Sequence, residues 1–466
     1  MSKITIAFAL AAAAFAAPAN AQPLSAAEIA RIDQAVTRHL AETSVPSASI
    51  AVVRDGKIVL AKAYGKANEG LPASPALPYQ IASISKQFTA MALLLLEDDG
   101  KLDLDDTVSK YLPNISGGDQ ITLRQLLSHT SGLQDYWPQD YSFAAMARPT
   151  TPQAIADRWA KKPLDFQPGE QWQYSNTGYV VAGMIAEKVS GEPLLQFMKR
   201  RLFDPAGMAS VISQDDAVGR RFPSGYGRNA LGPVRPVVVP GRGWLYAAGE
   251  LSMTAEDLAK WDIARLNRSL VPADDWAEQE TTIKLNSGVD SNYGLGVFAR
   301  DANGRRVIAH GGEAVGFLSN NAVYPRERAA IVVLTNSWSG GASGRIARDL
   351  AAIVLPAPPA DQASVTAAAR ARTLLDQLAS GRVDRSLLTE NANYYFTPQA
   401  LADYRASLAP LGTPTALEPR GSPTLRGGFA IQGYTIKYPT RTLDLSTFYE
   451  PGGRGRIEQF LITPGE

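Results

Sequence analysis

The sequence predicts an α+β protein: an antiparallel sheet flanked by its terminal helices, a helical lobe inserted between the strands, and a small α+β domain at the C-terminus. Three observations predict it. The patterns run helix, strands, a long helical stretch, strands, helix, an order in which the outer helices cover one sheet and the insert forms a second lobe. Pro356-Ala357-Pro358-Pro359-Ala360 then breaks the chain as a stiff linker. Beyond it the character changes: all seven tryptophans precede residue 339, and the tail holds one lysine, Lys437.

Each element follows from its residues. Ser25 and Glu28 form a capping box ahead of Ile29, Ile32, Val36 and Leu40, which repeat at helical spacing. Ser49–Val53 and Ile58–Leu60 flank Asp55-Gly56, a hairpin signal. Ile84, Phe88, Met91 and Leu95 mark a helix that Gly100 stops. Further helices are predicted at Leu123–Ser128, Pro152–Lys161, Thr177–Val189 and Pro193–Phe203, and after the cap Thr254. Strands are predicted at Gly294–Phe298, Arg306–Ala309, Gly316–Tyr324 and Ala329–Thr335, with a closing helix at Gly344–Val354. The tail shows a helix around Leu374, Leu375 and Leu378, another after Thr397-Pro398, and strands near Ile431–Tyr438, Leu443–Tyr449 and Ile457–Ile462.

Composition excludes several chemistries. The 466 residues carry a net charge of +1, which gives no electrostatic footprint for nucleic acid. The absence of cysteine excludes disulfides, thiol nucleophiles and Cys-type metal sites. Three scattered histidines, His39, His129 and His310, suggest no zinc site, so neither metal nor cofactor is expected. Lys3, the apolar run Ile4–Ala17 and Ala19-Asn20-Ala21 read as a signal peptide cut after Ala21. The expected organisation is leader 1–21, main domain 22–355, linker 356–364 and accessory domain 365–466. The expected location is secreted or periplasmic, with no membrane anchor left after cleavage.

Three motifs carry the chemistry. Ser83-Ile84-Ser85-Lys86 opens a helix, and a spacing of three puts Ser83 and Lys86 on one face. A serine at a helix start, with a lysine one turn on, is a candidate activated nucleophile. A lone S-x-x-K also arises by chance; this is the only one in the chain. Tyr174-Ser175-Asn176 precedes a helix: Tyr174 is a general base if nearby cations favour its phenolate, and Asn176 is either a substrate-orienting amide or a cap. His310-Gly311-Gly312 lies at the end of a strand, where the glycines admit a substrate close to the backbone and His310 donates to a substrate carboxylate or to the tyrosine; the alternative is a structural turn.

In order and context these motifs resemble those of the serine β-lactamase and penicillin-binding-protein family. The similarity is greatest to the class C β-lactamase-related hydrolases, which include D-alanyl-D-alanine carboxypeptidases, D-aminopeptidases and carboxylesterases. Leu126-Leu127-Ser128-His129-Thr130-Ser131-Gly132-Leu133, Leu104-Asp105-Asp106 and Ala247-Ala248-Gly249-Glu250-Leu251-Ser252 extend it, and it runs from about Ile29 to Val354. The resemblance implies a β-lactamase-like fold. It implies Ser83 as the acylated nucleophile, Lys86 as the group that eases its deprotonation, and Tyr174 as the proton relay to the leaving group. Asn176 is implied at the substrate amide, and the backbone N–H groups of Ser83 and Glu313 as the oxyanion hole. His129 has no evident triad partner and reads as structural. The third motif departs from the Lys-Thr-Gly of true class C β-lactamases. Histidine is mostly neutral near pH 7, so His310-Gly311-Gly312, with Glu313 beside it, points to peptidases and esterases. The tail resembles small nuclear-transport-factor-2-like domains.

The expected function is therefore a secreted serine hydrolase cleaving an ester or amide of a small molecule or short peptide through an acyl-enzyme. The alternatives are a non-hydrolytic cell-wall-peptide binder or scaffold, and a true β-lactamase. Loops Asp135–Phe143 and Gly241–Tyr246 carry Trp137, Tyr141 and Trp244, which either line the pocket or pack.

Overall fold

The computed structural model describes residues 22–137, 144–230, 232–302, 304–338, 340–356, 362–451 and 455–465. The leader 1–21, Tyr141 and most of the linker lie outside the described residues. The chain separates into two compact units, one reaching Pro356 and one following it, the hairpin tip 301–305 apart.

The first unit is built on a seven-stranded sheet in the order Leu71–Pro72, Lys57–Asn68, Ser47–Arg54, Ala329–Thr335, Phe317–Tyr324, Arg305–Ala314, Phe298–Ala302. Its central pairs are antiparallel, with Ile50 opposite Val333 and Gly312 opposite Ser319. The Asp55-Gly56 turn has φ of 52° and 72°, the positive pair a two-residue hairpin requires. Alternation splits the sheet into two faces. Ile50, Val52, Ile331 and Val333 pack with Ile32 and Val36 of the first helix, Ala26–Thr43, and with Ile346 and Leu350 of the last, Ala342–Val354. Ala51, Val53, Val332 and Leu334 face the helical lobe with Phe88, Leu95, Leu258 and Trp261. The capping box forms as expected: Ser25 Oγ accepts from Glu28 N at 3.2 Å, and Ser25 N donates to Glu28 Oε2 at 2.8 Å.

Several expectations need correction. The expected strand Gly294–Phe298 begins only at Phe298. A Cβ on Gly294 would lie 2.2 Å from Gln279 O and one on Gly296, at φ +78°, 2.7 Å from Lys86 O, so this segment is an irregular loop pressed on other backbone. The third motif is not at a strand end but inside Arg305–Ala314. Pro152–Lys161 and Pro193–Phe203 each start as α-helix and widen to π-helix, over Ala156–Ala160 and Lys199–Phe203.

The second unit packs helices Gln362–Ala379 and Pro398–Leu408 on a four-stranded antiparallel meander. Leu374, Leu375, Leu378, Phe396 and Leu408 meet Tyr434, Ile436, Leu443, Leu445 and Phe460 in its core. The first helix starts at Gln362, inside the span read as linker. The sequence reading missed the strand Ala416–Arg426, whose Pro419 and Pro423 argue against a strand interior; it is an edge strand, where proline is tolerated.

Candidate active site

The S-x-x-K motif does not open as an α-helix. Ala82–Ser85 is one 3₁₀ turn, and the helix proper is Lys86–Asp98. Side chains three apart eclipse in a 3₁₀ turn, which brings Lys86 Nζ to 3.0 Å from Ser83 Oγ. Ala82, just before the serine, has φ +50°, a strained value for a residue with a Cβ. The surroundings hold it there. Ile81 N donates to Leu251 O at 3.0 Å, Ser319 Oγ donates to Ile81 O at 2.8 Å, and Leu251 N donates to Ser85 Oγ at 3.1 Å. Ser83 itself is half-buried.

Lys86 is fully buried. Besides Ser83, its Nζ donates to Asn176 Oδ1 at 2.8 Å and to Ala248 O at 2.6 Å. Burial lowers its pKa to about 7, against a smaller upward pull from Asp135. Near neutral pH, then, a large share of Lys86 is the free amine. An amine has two N–H bonds and one lone pair. The two carbonyl oxygens only accept, so they take both hydrogens and leave the lone pair directed at the Ser83 hydroxyl.

Asn176 opens the helix Asn176–Ser190 behind the cap Ser175, whose side chain accepts from Gly178 N. The expected cap is therefore corrected: Ser175, not Asn176, caps the helix, and the Asn176 side chain bonds Lys86 instead. Tyr174 lies beside them, with Lys86 Nζ 4.8 Å from its ring centre. The expectation of a phenolate is reversed. Burial pushes the Tyr174 pKa up, outweighing the neighbouring Ser83, which favours ionisation. Its hydroxyl is buried without a hydrogen bond of good geometry. Tyr174 is a neutral phenol in the resting site.

The third motif differs most from expectation. His310 is buried, and both ring nitrogens have protein partners: Nδ1 meets Gly311 O at 2.5 Å and Nε2 meets the Tyr293 hydroxyl at 2.9 Å. A carbonyl only accepts, so Nδ1 carries the proton and Nε2 accepts from Tyr293. His310 therefore has no nitrogen left for a substrate carboxylate or for Tyr174. Burial, then the charge of Lys86, lower its pKa to about 3, so it is neutral. The two glycines also differ. A Cβ on Gly312 would lie 2.0 Å from Ile81 O and 2.2 Å from Ser319 Oγ, whereas Gly311 is exposed, with Ser319 O at 3.7 Å. The nucleophile turn packed against Gly312 leaves no room for a side chain there. Glu313 follows half-buried on the same strand.

Residues outside the three motifs complete the site. Asp135 Oδ1 accepts from Asn176 N at 3.0 Å and Oδ2 from Asn176 Nδ2 at 3.1 Å. His129 is stacked on Tyr174 with ring centres 4.2 Å apart, and its Nδ1 accepts from Ser175 N at 3.1 Å. Tyr293 touches His129, Trp172 and Phe298 as well as His310, making an aromatic wall behind Tyr174. The only sequence signals were the Leu-Leu-Ser-His-Thr-Ser-Gly-Leu stretch that precedes Asp135 and the Gly-Leu-Gly after Tyr293. Trp137 and Trp244 are buried, and Trp244 Nε1 donates to Arg148 O at 2.8 Å. No metal-holding group of His, Asp and Glu occurs among the described residues.

This sheet-and-helical-lobe fold, with a half-buried Ser83 and Tyr174 on a buried Lys86 and Asn176, defines the β-lactamase-fold class of serine hydrolases. The pattern of the Beta-lactamase family matches residues 32–355, and the chain belongs to that family. It is 28% identical to a putative penicillin-binding protein, PbpX, of Bacillus subtilis over 317 residues, 67% of this chain and 76% of that one. Penicillin-binding protein 4* of the same organism is 30% identical over 292 residues, and the match spans 59% of this chain and 64% of that relative. Among solved structures, a D-stereospecific amidohydrolase from Streptomyces is 30% identical with a TM-score of 0.59, over 68% of this chain and 96% of that one. A D-amino acid amidase from Ochrobactrum anthropi is 26% identical with a TM-score of 0.60, over 70% and 99%. An octameric penicillin-binding protein homologue from Pyrococcus abyssi shares the fold over 93% of this chain, at 22% identity and a TM-score of 0.61.

Proposed function

We propose that this protein is an exported serine hydrolase that cleaves an ester or amide bond through an acyl-enzyme on Ser83. The observation that carries the reading is the Lys86 amine, buried and 3.0 Å from Ser83 Oγ, with carbonyl acceptors on its two remaining contacts. A base poised near neutrality is what a serine nucleophile needs. In this reading neutral Lys86 takes the Ser83 proton as Oγ bonds to the substrate carbonyl carbon. The backbone N–H groups of Ser83 and Glu313 hold the oxyanion. Tyr174, a neutral phenol, gives its proton to the leaving nitrogen or oxygen and regains one from Lys86. The acyl–leaving-group bond breaks, and water then releases the acid.

Two observations favour D-aminoacyl amides or small esters over anionic β-lactams. Neutral His310 supplies no cation where a class C β-lactamase has lysine, and the neighbours include an enzyme named D-amino acid amidase. Export rests on the N-terminal pattern ending at Ala21. The test is labelling of the purified protein by a fluorophosphonate, with a chromogenic panel of short esters, D-aminoacyl anilides and nitrocefin. Wild type is expected to label and Ser83→Ala not to. Equal labelling of the two refutes the acyl-enzyme. Turnover of nitrocefin alone refutes the substrate class.

A further inference from the structure

We propose that Asp135 is a positioning residue that fixes the Asn176 amide with its oxygen toward Lys86, and thereby aims the lysine lone pair at Ser83. The inference rests on Ser83 being the acylated nucleophile. A carboxylate only accepts hydrogen bonds. Asp135 meets Asn176 twice, at the backbone N (3.0 Å) and at Nδ2 (3.1 Å), so both must donate. The remaining amide atom, Oδ1, then faces Lys86 Nζ at 2.8 Å as an acceptor. Flipped, the amide would point an N–H at Lys86. That donor would compete with the Ser83 hydroxyl for the lone pair. Ala248 O, at 2.6 Å, only accepts, so it offers Lys86 no alternative.

The charges around Lys86 make Asp135 matter twice. His129 and His310 face the lysine from the loop after Leu123–Leu127 and from the strand Arg305–Ala314, and burial holds both neutral. Tyr174 and Tyr179 present ring centres 4.8 and 5.3 Å from Nζ, and burial keeps both phenols protonated. Asp135 is the charged group that opposes burial at Lys86. Its loop is braced by Trp137 N, which donates to Oδ1 at 3.2 Å.

Two variants separate positioning from folding. In Asp135→Asn the new Oδ1 keeps the bonds from Trp137 N and Asn176 N, but the new Nδ2 faces Asn176 Nδ2 and drives the flip. The double variant Asp135→Asn/Asn176→Asp reverses the pair, since a carboxylate at position 176 accepts from both Lys86 and the new amide at position 135. The readout is the rate constant for fluorophosphonate labelling from pH 5 to 9, beside the melting temperature. A fluorophosphonate has no amide, so loss of substrate contact at position 176 does not interfere. Asp135→Asn is expected to label about tenfold to a hundredfold more slowly, with the midpoint of its rise moved to lower pH. The double variant is expected to regain part of the rate, with its midpoint moved to higher pH. Wild-type labelling by Asp135→Asn with an unmoved midpoint overturns the inference. So does a double variant no faster than the single one, or equal slowing of both with lowered melting temperatures. If wild type does not label, or Ser83→Ala labels like wild type, the underlying hydrolase reading fails and the inference falls with it.

Discussion

Gly312→Ala tests how tightly the nucleophile turn is held. The added Cβ would stand 2.0 Å from Ile81 O and 2.2 Å from Ser319 Oγ, splitting the hydrogen bond that joins them at 2.8 Å. Real Cβ contacts are not found below 3.0 Å, so the two backbones must part by 3.0 − 2.0, about 1 Å. Ile81 is two residues from Ser83, and Ala82 between them is already strained, so the displacement passes to the nucleophile. A misplacement of ~1 Å costs on the order of 10²-fold in rate, and overpacking costs ~1–3 kcal/mol in stability. The assay is fluorophosphonate labelling with a thermal melt. The expected result is about 10²-fold slower labelling by a protein that still folds. Gly311→Ala, with 3.7 Å to its nearest atom, is expected to keep the wild-type melting temperature. Wild-type labelling by Gly312→Ala would refute the argument that the third motif's second glycine serves the turn.

Labelling of wild type should fall as pH drops through about 7, because Lys86 then becomes the ammonium and cannot take the Ser83 proton; a rate flat from pH 5 to 9 contradicts this. Asp262 is buried, accepts from Asn321 Nδ2 at 2.7 Å, and burial raises its pKa to about 7. Its folded pKa lies above its unfolded one, so the folded state binds more protons between pH 4 and 7, and this group costs stability as pH rises through that window. Asp262→Asn should therefore melt higher than wild type at pH 8 and lose the difference near pH 4. Arg265 is buried against Glu280 Oε1 at 2.9 Å, Gln279 Oε1 at 2.7 Å and Gln87 Oε1 at 2.9 Å. Arg265→Ala strands those acceptors and should cost about 3–5 kcal/mol in chemical denaturation; a loss under about 1 kcal/mol would contradict the network.

The fold was legible wherever burial is one-sided or doubly apolar. The first helix, the Asp55-Gly56 hairpin and the strand Ala329–Thr335 follow from caps, turn chemistry and continuous apolar runs. What stayed hidden is set by contacts distant in sequence. Nothing local tells that Gly294 and Gly296 are pressed on Gln279 and Lys86, so alternation there suggested a strand. Nothing local tells that Ala416–Arg426 is an edge, a setting where its prolines fit.

The same boundary runs through the site. Ser83, Lys86 and Asn176 meet in one hydrogen-bonded cluster, and each was legible locally, from a spacing of three or a helix start. Depth was not visible. Tyr174 and His310 are residue types that titrate near a reaction, and the sequence assigned each a charge or a proton to exchange. Burial raises the phenol pKa, which overturns a resting phenolate at Tyr174, and the partners of both His310 nitrogens, not its charge, overturn its expected donation to a substrate or to Tyr174. With His310 bound to Tyr293 and Gly311, the proposed mechanism rests the Ser83 proton on Lys86 and its acceptors. Of these, Ala248 O is backbone and Asn176 Oδ1 takes its direction from Asp135, a contact 41 residues away in sequence. A motif reports which groups are present; which of them holds a lone pair toward Ser83 depends on neighbours that no motif contains.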